Sequence, residues 1–220
     1  MIRILLADDH RVVRNGFRAL LERNGFEVVA EADNGTDAVA LAQTVSFNVA
    51  LLDLSMPRMN GIDCARAILT TAPDAAIIML TMHTDEQQLA TALRFGIRGY
   101  VSKTQPIEEL LQAIREVARG GTYLGPDLSR LLVSAYRSGM RPDKELLTRR
   151  ERQVLQLVAE GHTTKQVATT LGLTTKTADS YRTQVMAKLD IHNTAGLVRY
   201  AIQRGLTPLA LSAAILVGAA

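Results

Sequence analysis

Four short apolar runs punctuate the first hundred residues: Ile2-Arg3-Ile4-Leu5-Leu6-Ala7, Val49-Ala50-Leu51-Leu52, Ala76-Ile77-Ile78-Met79-Leu80 and Gly99-Tyr100-Val101. Continuous runs of this length fit strands buried on both faces, as parallel strands are. Between them the spacing turns helical, at Val13, Phe17, Leu20 and Leu21, and again at Ile107, Leu110, Leu111, Ile114 and Val117. Asn34-Gly35, Asn60-Gly61 and Gly120-Gly121 read as turns. Thr84, with Gln87 three residues on, reads as a capping box opening a fourth helix. Pro106 opens a fifth, with Glu108 and Glu109 set against the dipole of its first turn. The alternation predicts an α/β doubly wound parallel sheet of five strands, flavodoxin-like, over residues 1–118.

The pattern then changes. Arg119 to Leu147 is rich in Gly and Pro and holds one short apolar stretch, Leu128 to Tyr136, so residues 119–146 read as a linker with a short helix. From Thr148 to about Arg204 the spacing is helical throughout, broken at Gly161-His162, Gly172, His192-Asn193 and Gly205. This predicts a second, small all-α domain of four short helices over residues 147–206. Residues 207–220 form an apolar tail. Its Leu209–Ala220 stretch is 12 residues, well short of the roughly 20 that a membrane span needs. Packing on the last helix is its expected use.

Charge separates the two halves. Residues 1–120 carry 12 Lys+Arg against 15 Asp+Glu, a balance of −3, whereas residues 121–220 carry 13 against 7, a balance of +6. A basic helical domain behind an acidic α/β domain points to a polyanion as the partner of the second half. The single cysteine, Cys64, excludes an internal disulfide and fits a reducing compartment. It lies in a predicted helix and reads as a buried small hydrophobe. Ile2 to Ala7 is too short for the apolar region of a signal peptide, so a cytoplasmic protein without membrane contact is expected.

Asp8, Asp9, Asp53, Thr81 and Lys103 each close one of the apolar runs. In an open α/β sheet the crevice beyond the carboxyl ends of the strands is where ligands bind. Three carboxylates, a hydroxyl and an ammonium therefore converge there. Mg²⁺ takes oxygen ligands and needs only one or two carboxylates besides water and phosphate oxygens. A carboxylate can also act as a nucleophile toward a phosphoryl group, giving an acyl phosphate, with the metal and the ammonium offsetting charge.

Asp8-Asp9-His10, Leu52-Asp53-Leu54-Ser55-Met56-Pro57, Met59-Asn60-Gly61, Leu80-Thr81 and Lys103 together resemble the receiver domain of two-component response regulators, over about residues 1–118. The resemblance implies that Asp53 is the phospho-acceptor. It implies that Asp9, Asp53 and the backbone carbonyl of Ser55 hold Mg²⁺ directly and that Asp8 acts partly through water. Thr81 and Tyr100 match the switch pair of that family, with inward rotation of the Tyr100 ring coupled to a hydrogen bond at Thr81. Ser55 and His83 stand where the lifetime of the phosphorylated form is tuned. Met82, where many receivers carry a smaller residue, is a departure that bears on the access of small phosphodonors.

In the basic half, Thr163 or Thr164 caps a helix over Lys165–Thr170, Leu171-Gly172-Leu173-Thr174 makes a tight turn, and Thr175–Leu189 forms a longer helix. This is helix-turn-helix spacing, in which the second helix enters the major groove. Helical phase turns Ala178, Tyr181, Val185 and Leu189 inward and Lys176, Asp179, Ser180, Thr183 and Gln184 outward. Arg182 and Lys188 flank the outward face, where phosphates would lie. Thr174, Thr175 and Thr177 stand at the helix N-terminus, whose backbone donors suit a phosphate. Leu147-Thr148-Arg149-Arg150-Glu151, Val154-Leu155, Gly161, Val167-Ala168, Leu171-Gly172-Leu173, Lys176-Thr177-Ala178 and Lys188-Leu189 resemble the LuxR-type DNA-binding domain. Behind a receiver this gives the NarL/FixJ class of response regulator. Asp179 departs from relatives with a basic residue there.

These readings converge on a transcription factor switched by a sensor histidine kinase through Asp53. It would bind double-stranded promoter DNA and dimerise with itself when phosphorylated or DNA-bound. Asp53→Ala is expected to abolish the response with the fold intact. Lys188→Ala is expected to weaken DNA binding on all sequences and flatten its salt dependence. Two other readings stay open at this point. An aspartate-nucleophile phosphohydrolase would want a second acid two residues beyond Asp53, where Ser55 stands. A phosphorylation-independent DNA-binding or docking protein would keep the receiver only for dimerisation.

Overall fold

The computed structural model describes residues 1–82, 89, 92, 93, 95–126, 128–130, 133 and 146–207. They fall into two compact units, one built on a sheet and one, from Leu146 on, built of helices. The Thr84–Gln87 capping box, His83, most of the Leu128–Tyr136 stretch and the tail beyond Thr207 lie outside the described residues.

The first unit runs β1 (Arg3–Ala7), α1 (Arg11–Arg23), β2 (Glu27–Ala32), α2 (Gly35–Thr44), β3 (Val49–Asp53), α3 (Gly61–Thr71), β4 (Ala76–Thr81), β5 (Gly99–Ser102), α4 (Ile107–Ala118) and β6 (Tyr123–Leu124). The strand order is β2-β1-β3-β4-β5-β6, and every pairing is parallel. Chain order reverses at β1 and β3, which opens a crevice at their carboxyl ends. Ile4, Leu6, Val49, Leu51, Ile78, Leu80 and Val101 form one core cluster with Leu21 of α1 and Leu110, Ala113, Ile114 and Val117 of α4. The intervening Leu5, Ala50, Leu52, Ile77, Met79 and Tyr100 are fully buried too. Successive strand residues point to opposite faces, so both faces are covered. Of the stripe predicted on α1, Leu21 is buried and Phe17 packs against the core, but Val13 and Leu20 stay more than a third exposed.

The sheet has six strands where the sequence predicts five. Gly120, at φ +89°, turns the chain back after α4, and Tyr123 and Leu124 pair with Gly99 and Tyr100. The Tyr123 hydroxyl donates to the Glu109 carboxylate on α4, fixing this edge. Two residues are too few to carry a periodic signal, so a segment read as linker contributes its start to the receiver sheet.

The second unit comprises α5 (Arg149–Ala159), α6 (Thr164–Leu171), α7 (Thr175–Leu189) and α8 (Thr194–Gln203). Val154, Leu155, Leu157 and Val158 of α5 pack with Val167, Ala168, Ala178, Val185, Leu197, Val198 and Ala201 in one core. Side-chain caps set the helix starts. Thr148 and Glu151 form a reciprocal box on α5, and Thr163 and Gln166 another on α6. Thr174 caps α7 and Asn193 caps α8. The turn between α6 and α7 rests on Gly172, whose φ of +64° is the left-handed conformation glycine adopts without strain.

Candidate functional site

The strand ends of the first unit bring together the groups the sequence singled out. Asp8 follows β1, Asp53 ends β3, Thr81 ends β4 and Lys103 follows β5. The Lys103 ammonium lies 2.6 Å from Asp8 Oδ2 and 2.8 Å from Asp53 Oδ1, and all three side chains are nearly or fully buried. Burial, opposed by Lys103 and reinforced by Asp8 and Asp9, lifts the Asp53 carboxyl from 3.8 to about 6. Burial also raises Asp9, with His10 pulling the other way. Burial alone would lower Lys103, but the Asp53 and Asp8 carboxylates outweigh it and hold the ammonium above its usual range.

Ligand atoms of Asp8, Asp9, His10 and Asp53 all lie within 4.8 Å of one another. Asp9 Oδ1 is buried without a well-directed hydrogen bond, although His10 Nδ1 is 2.7 Å away. Three carboxylates against one ammonium leave an excess of negative charge, and the donors are mainly oxygen. The set fits a hard divalent cation. His10, which follows the two aspartates in sequence, belongs to this cluster as well.

Backbone contacts hold the site in shape. The Arg14 guanidinium donates to the Asp8 carbonyl at 2.6 Å, and the His10 backbone N–H donates to Asp8 Oδ1 at 2.9 Å. The Lys103 N–H donates to the Thr81 carbonyl at 2.7 Å, tying the ends of β4 and β5 together. Thr81 and Tyr100 are buried, the Tyr100 ring completely, while Ser55 is half-buried and Met82 is 58% exposed beside Thr81. Gly61 permits the closest approach: a Cβ there would stand 2.2 Å from the Asp53 carbonyl oxygen. Alanine in a helix gains about 1 kcal/mol over glycine, but the clash is with backbone and costs about 1–3 kcal/mol. Gly61→Ala is therefore expected to lower the urea midpoint by displacing the Asp53 backbone. An unchanged midpoint would contradict this.

In the second unit, α7 presents Lys176, Asp179, Ser180, Thr183 and Gln184 to solvent, with Thr175 exposed at its start. Ala178 and Val185 are buried, and Tyr181 and Leu189 pack against the core. Thr177 is half-buried, and its N–H donates to the Thr174 hydroxyl. The two flanking cations are engaged within the domain. Arg182 donates to the Thr194 hydroxyl of α8 at 2.9 Å, and Lys188 lies 2.8 Å from the Glu151 carboxylate of α5. Sequence reasoning missed Glu151. The Thr148-x-x-Glu151 signature marks it as a cap, but nothing in the sequence joins it to a lysine 37 residues away.

Among the described residues no helix is long and apolar enough to cross a membrane. Residues 4–115 match the family described as "Response regulator receiver domain", and residues 145–201 match "Bacterial regulatory proteins, luxR family". The chain is 37% identical to Response regulator UvrY of Escherichia coli (strain K12), over 94% of this chain and 96% of that one. It is 37% identical to Oxygen regulatory protein NreC of Staphylococcus aureus (strain JH9), over 93% and 99%. Among solved structures it is similar to RcsB of Salmonella enterica serovar Typhimurium bound to promoter rprA in the presence of the phosphomimetic BeF3-. That match has TM-score 0.64 and 29% identity, covering 90% of this chain and 97% of that one. These matches identify a DNA-binding response regulator. The chain belongs to the two-component response regulators of the NarL/FixJ class, a receiver domain joined to a LuxR-type DNA-binding domain.

Proposed function

We propose that this regulator is switched by phosphorylation of Asp53 and reads promoter DNA with α7. The observation that carries the reading is the Asp8–Lys103–Asp53 arrangement, a buried carboxylate with an ammonium 2.8 Å from its oxygen. A sensor histidine kinase supplies the phosphoryl group. An Asp53 carboxylate oxygen attacks phosphorus, the phosphorus–nitrogen bond to the kinase imidazole breaks, and an acyl phosphate forms. Asp9, Asp53 and the backbone carbonyl of Ser55 would hold Mg²⁺, with Asp8 acting partly through water, and the ion would supply charge neutralisation at the transferring group. Lys103 exchanges its hold on Asp53 for a phosphoryl oxygen, and the Thr81 hydroxyl donates to another. The fully buried Tyr100 ring suits the inward position that this pair adopts in the switched state. The only reactions the chain catalyses are this uptake and the later hydrolysis of its own acyl phosphate.

Thr175, Lys176, Ser180 and Thr183 supply groove contacts from the exposed face of α7, with Thr177 shaping the helix N-terminus. Related RcsB structures hold promoter DNA and dimers, and a homodimer on two half-sites about one helical turn apart is the assembly we expect. A DNA target puts the site of action in the cytoplasm. The testing experiment is intact mass after incubation with a phosphodonor kinase or acetyl phosphate and Mg²⁺. One phosphoryl group on the wild type and none on Asp53→Ala is the expected result. Equal uptake by both would move the acceptor elsewhere and sink the assignment.

A further inference from the structure

We infer that Glu151 positions the recognition helix through Lys188, so that Lys188 serves DNA binding as a positioning residue and not as a phosphate contact. The inference rests on α7 being the helix that meets DNA. Glu151 is the third residue of α5, and its side chain is 3% exposed. A single carboxylate oxygen, Oε2, accepts from the Thr148 backbone N–H at 2.7 Å and from Lys188 Nζ at 2.8 Å. The first turn of α5 and the last turn of α7 are thus joined at one buried atom. Burial works against the charge on Glu151, but the hydrogen bonds from Lys188 and Thr148 hold its carboxyl below the usual range. The carboxylate is ionised at neutral pH and holds the Lys188 ammonium at 2.8 Å, although the lysine side chain itself is 42% exposed.

A phosphate ligand acts through charge that is free to meet the backbone. To reach a phosphate, Lys188 would have to abandon a buried carboxylate, which is unfavourable wherever the partner stays out of water. The groove-facing side chains, Lys176, Ser180 and Thr183, lie N-terminal to this anchor on the same rigid helix. Recognition tolerates only small displacements of such groups, and a helix loosened at one end swings them at the other. Arg182, bonded to Thr194 of α8, gives α7 a second tie in its middle.

Charge and position make opposite demands at Glu151, and that separates the two roles. Glu151→Gln keeps the capping box, since glutamine serves at that position as well as glutamate, and it removes a negative charge from a DNA-binding domain. If only charge mattered, binding would tighten. As a positioning residue its loss weakens binding, by about tenfold for a coupling of ordinary size. Lys188→Met, which keeps the packing of the stem, is expected to lose the same factor, and the double variant no more than either single one.

The assay is fluorescence anisotropy of the full chain on a duplex selected by the wild type from a random pool. It is run between 50 and 200 mM salt, below the melting midpoint of each variant, with Lys176→Ala as the α7 control. The salt slope is the decisive readout: removing a phosphate contact lowers it by about 0.9, whereas a positioning role leaves it unchanged. Glu151→Gln binding as tightly as wild type or tighter, or a lowered slope for Lys188→Met, overturns the inference. If Lys176→Ala and Lys188→Met both bind as wild type does, the assignment of α7 itself falls with it.

Discussion

Asp53→Asn is expected to raise the melting temperature of the metal-free receiver by several degrees at pH 7 while abolishing phosphoryl uptake. The folded protein holds the Asp53 carboxyl at about 6, against 3.8 for the free group, chiefly because it is buried. Between those two values the native state binds more protons than the unfolded chain, so stability falls as pH rises through that window. Above about pH 6 the charged carboxylate costs roughly 2–3 kcal/mol. Asparagine keeps the shape and removes the charge. Lys103 is not stranded, because Asp8 remains 2.6 Å from its ammonium. At about 2–4 °C per kcal/mol for a protein of this size, the gain is readily measured by melting in EDTA. It should vanish near pH 4, where wild-type Asp53 is protonated in the folded state. A lower melting temperature at pH 7 would mean that attraction to Lys103 outweighs burial. The same carboxylate would then be a stabilising residue and not a strained one.

That instability explains why the receiver site reads so clearly from sequence. A buried carboxylate such as Asp53 has to interrupt an otherwise apolar run, and Asp8, Asp53 and Lys103 stand out because each ends one. Periodicity fixes where strands stop, and the parallel topology then forces those stops into one crevice. The inward face of α7 is equally legible: Ala178 and Val185 follow helical phase and are buried. Phase gives a direction but no partner, however. Arg182 and Lys188 lie on the flanks where phosphates were expected, and both turn back to Thr194 and Glu151. Those pairings depend on how α5 and α8 cross α7, which no local pattern encodes. His10 illustrates the same limit at short range. The sequence puts it directly after two aspartates, and only the turn of the backbone sets its Nδ1 2.7 Å from Asp9 Oδ1. The short β6 strand escaped because two residues define no period.

Lys103→Met is expected to produce the largest change of any single substitution outside Asp53, and a divalent cation is expected to reverse half of it. The ammonium is 6% exposed and contacts Asp8 and Asp53 together. Methionine replaces the stem but leaves Asp8, Asp9 and Asp53 clustered without a cation. Removing one partner of a buried pair costs about 3–5 kcal/mol, a large share of the roughly 5–15 kcal/mol that holds a domain together. The loss has a ceiling, because Asp53 can take up a proton instead. The destabilisation should therefore be largest at pH 7 or above and shrink toward pH 5. Mg²⁺ restores the missing positive charge, so it should raise the melting temperature of the variant more than that of the wild type. Equal shifts would mean that the metal is not held by these carboxylates. Phosphoryl uptake should not recover with stability. On the proposed mechanism Lys103 also binds the incoming phosphoryl group, and losing one such donor slows comparable reactions about 10²–10³-fold. Stability rescued by Mg²⁺ beside uptake that stays slow would separate the two tasks of this residue. One task is to neutralise the Asp8 and Asp53 carboxylates, and the other, on the proposed mechanism, is to bind the phosphoryl group that enters.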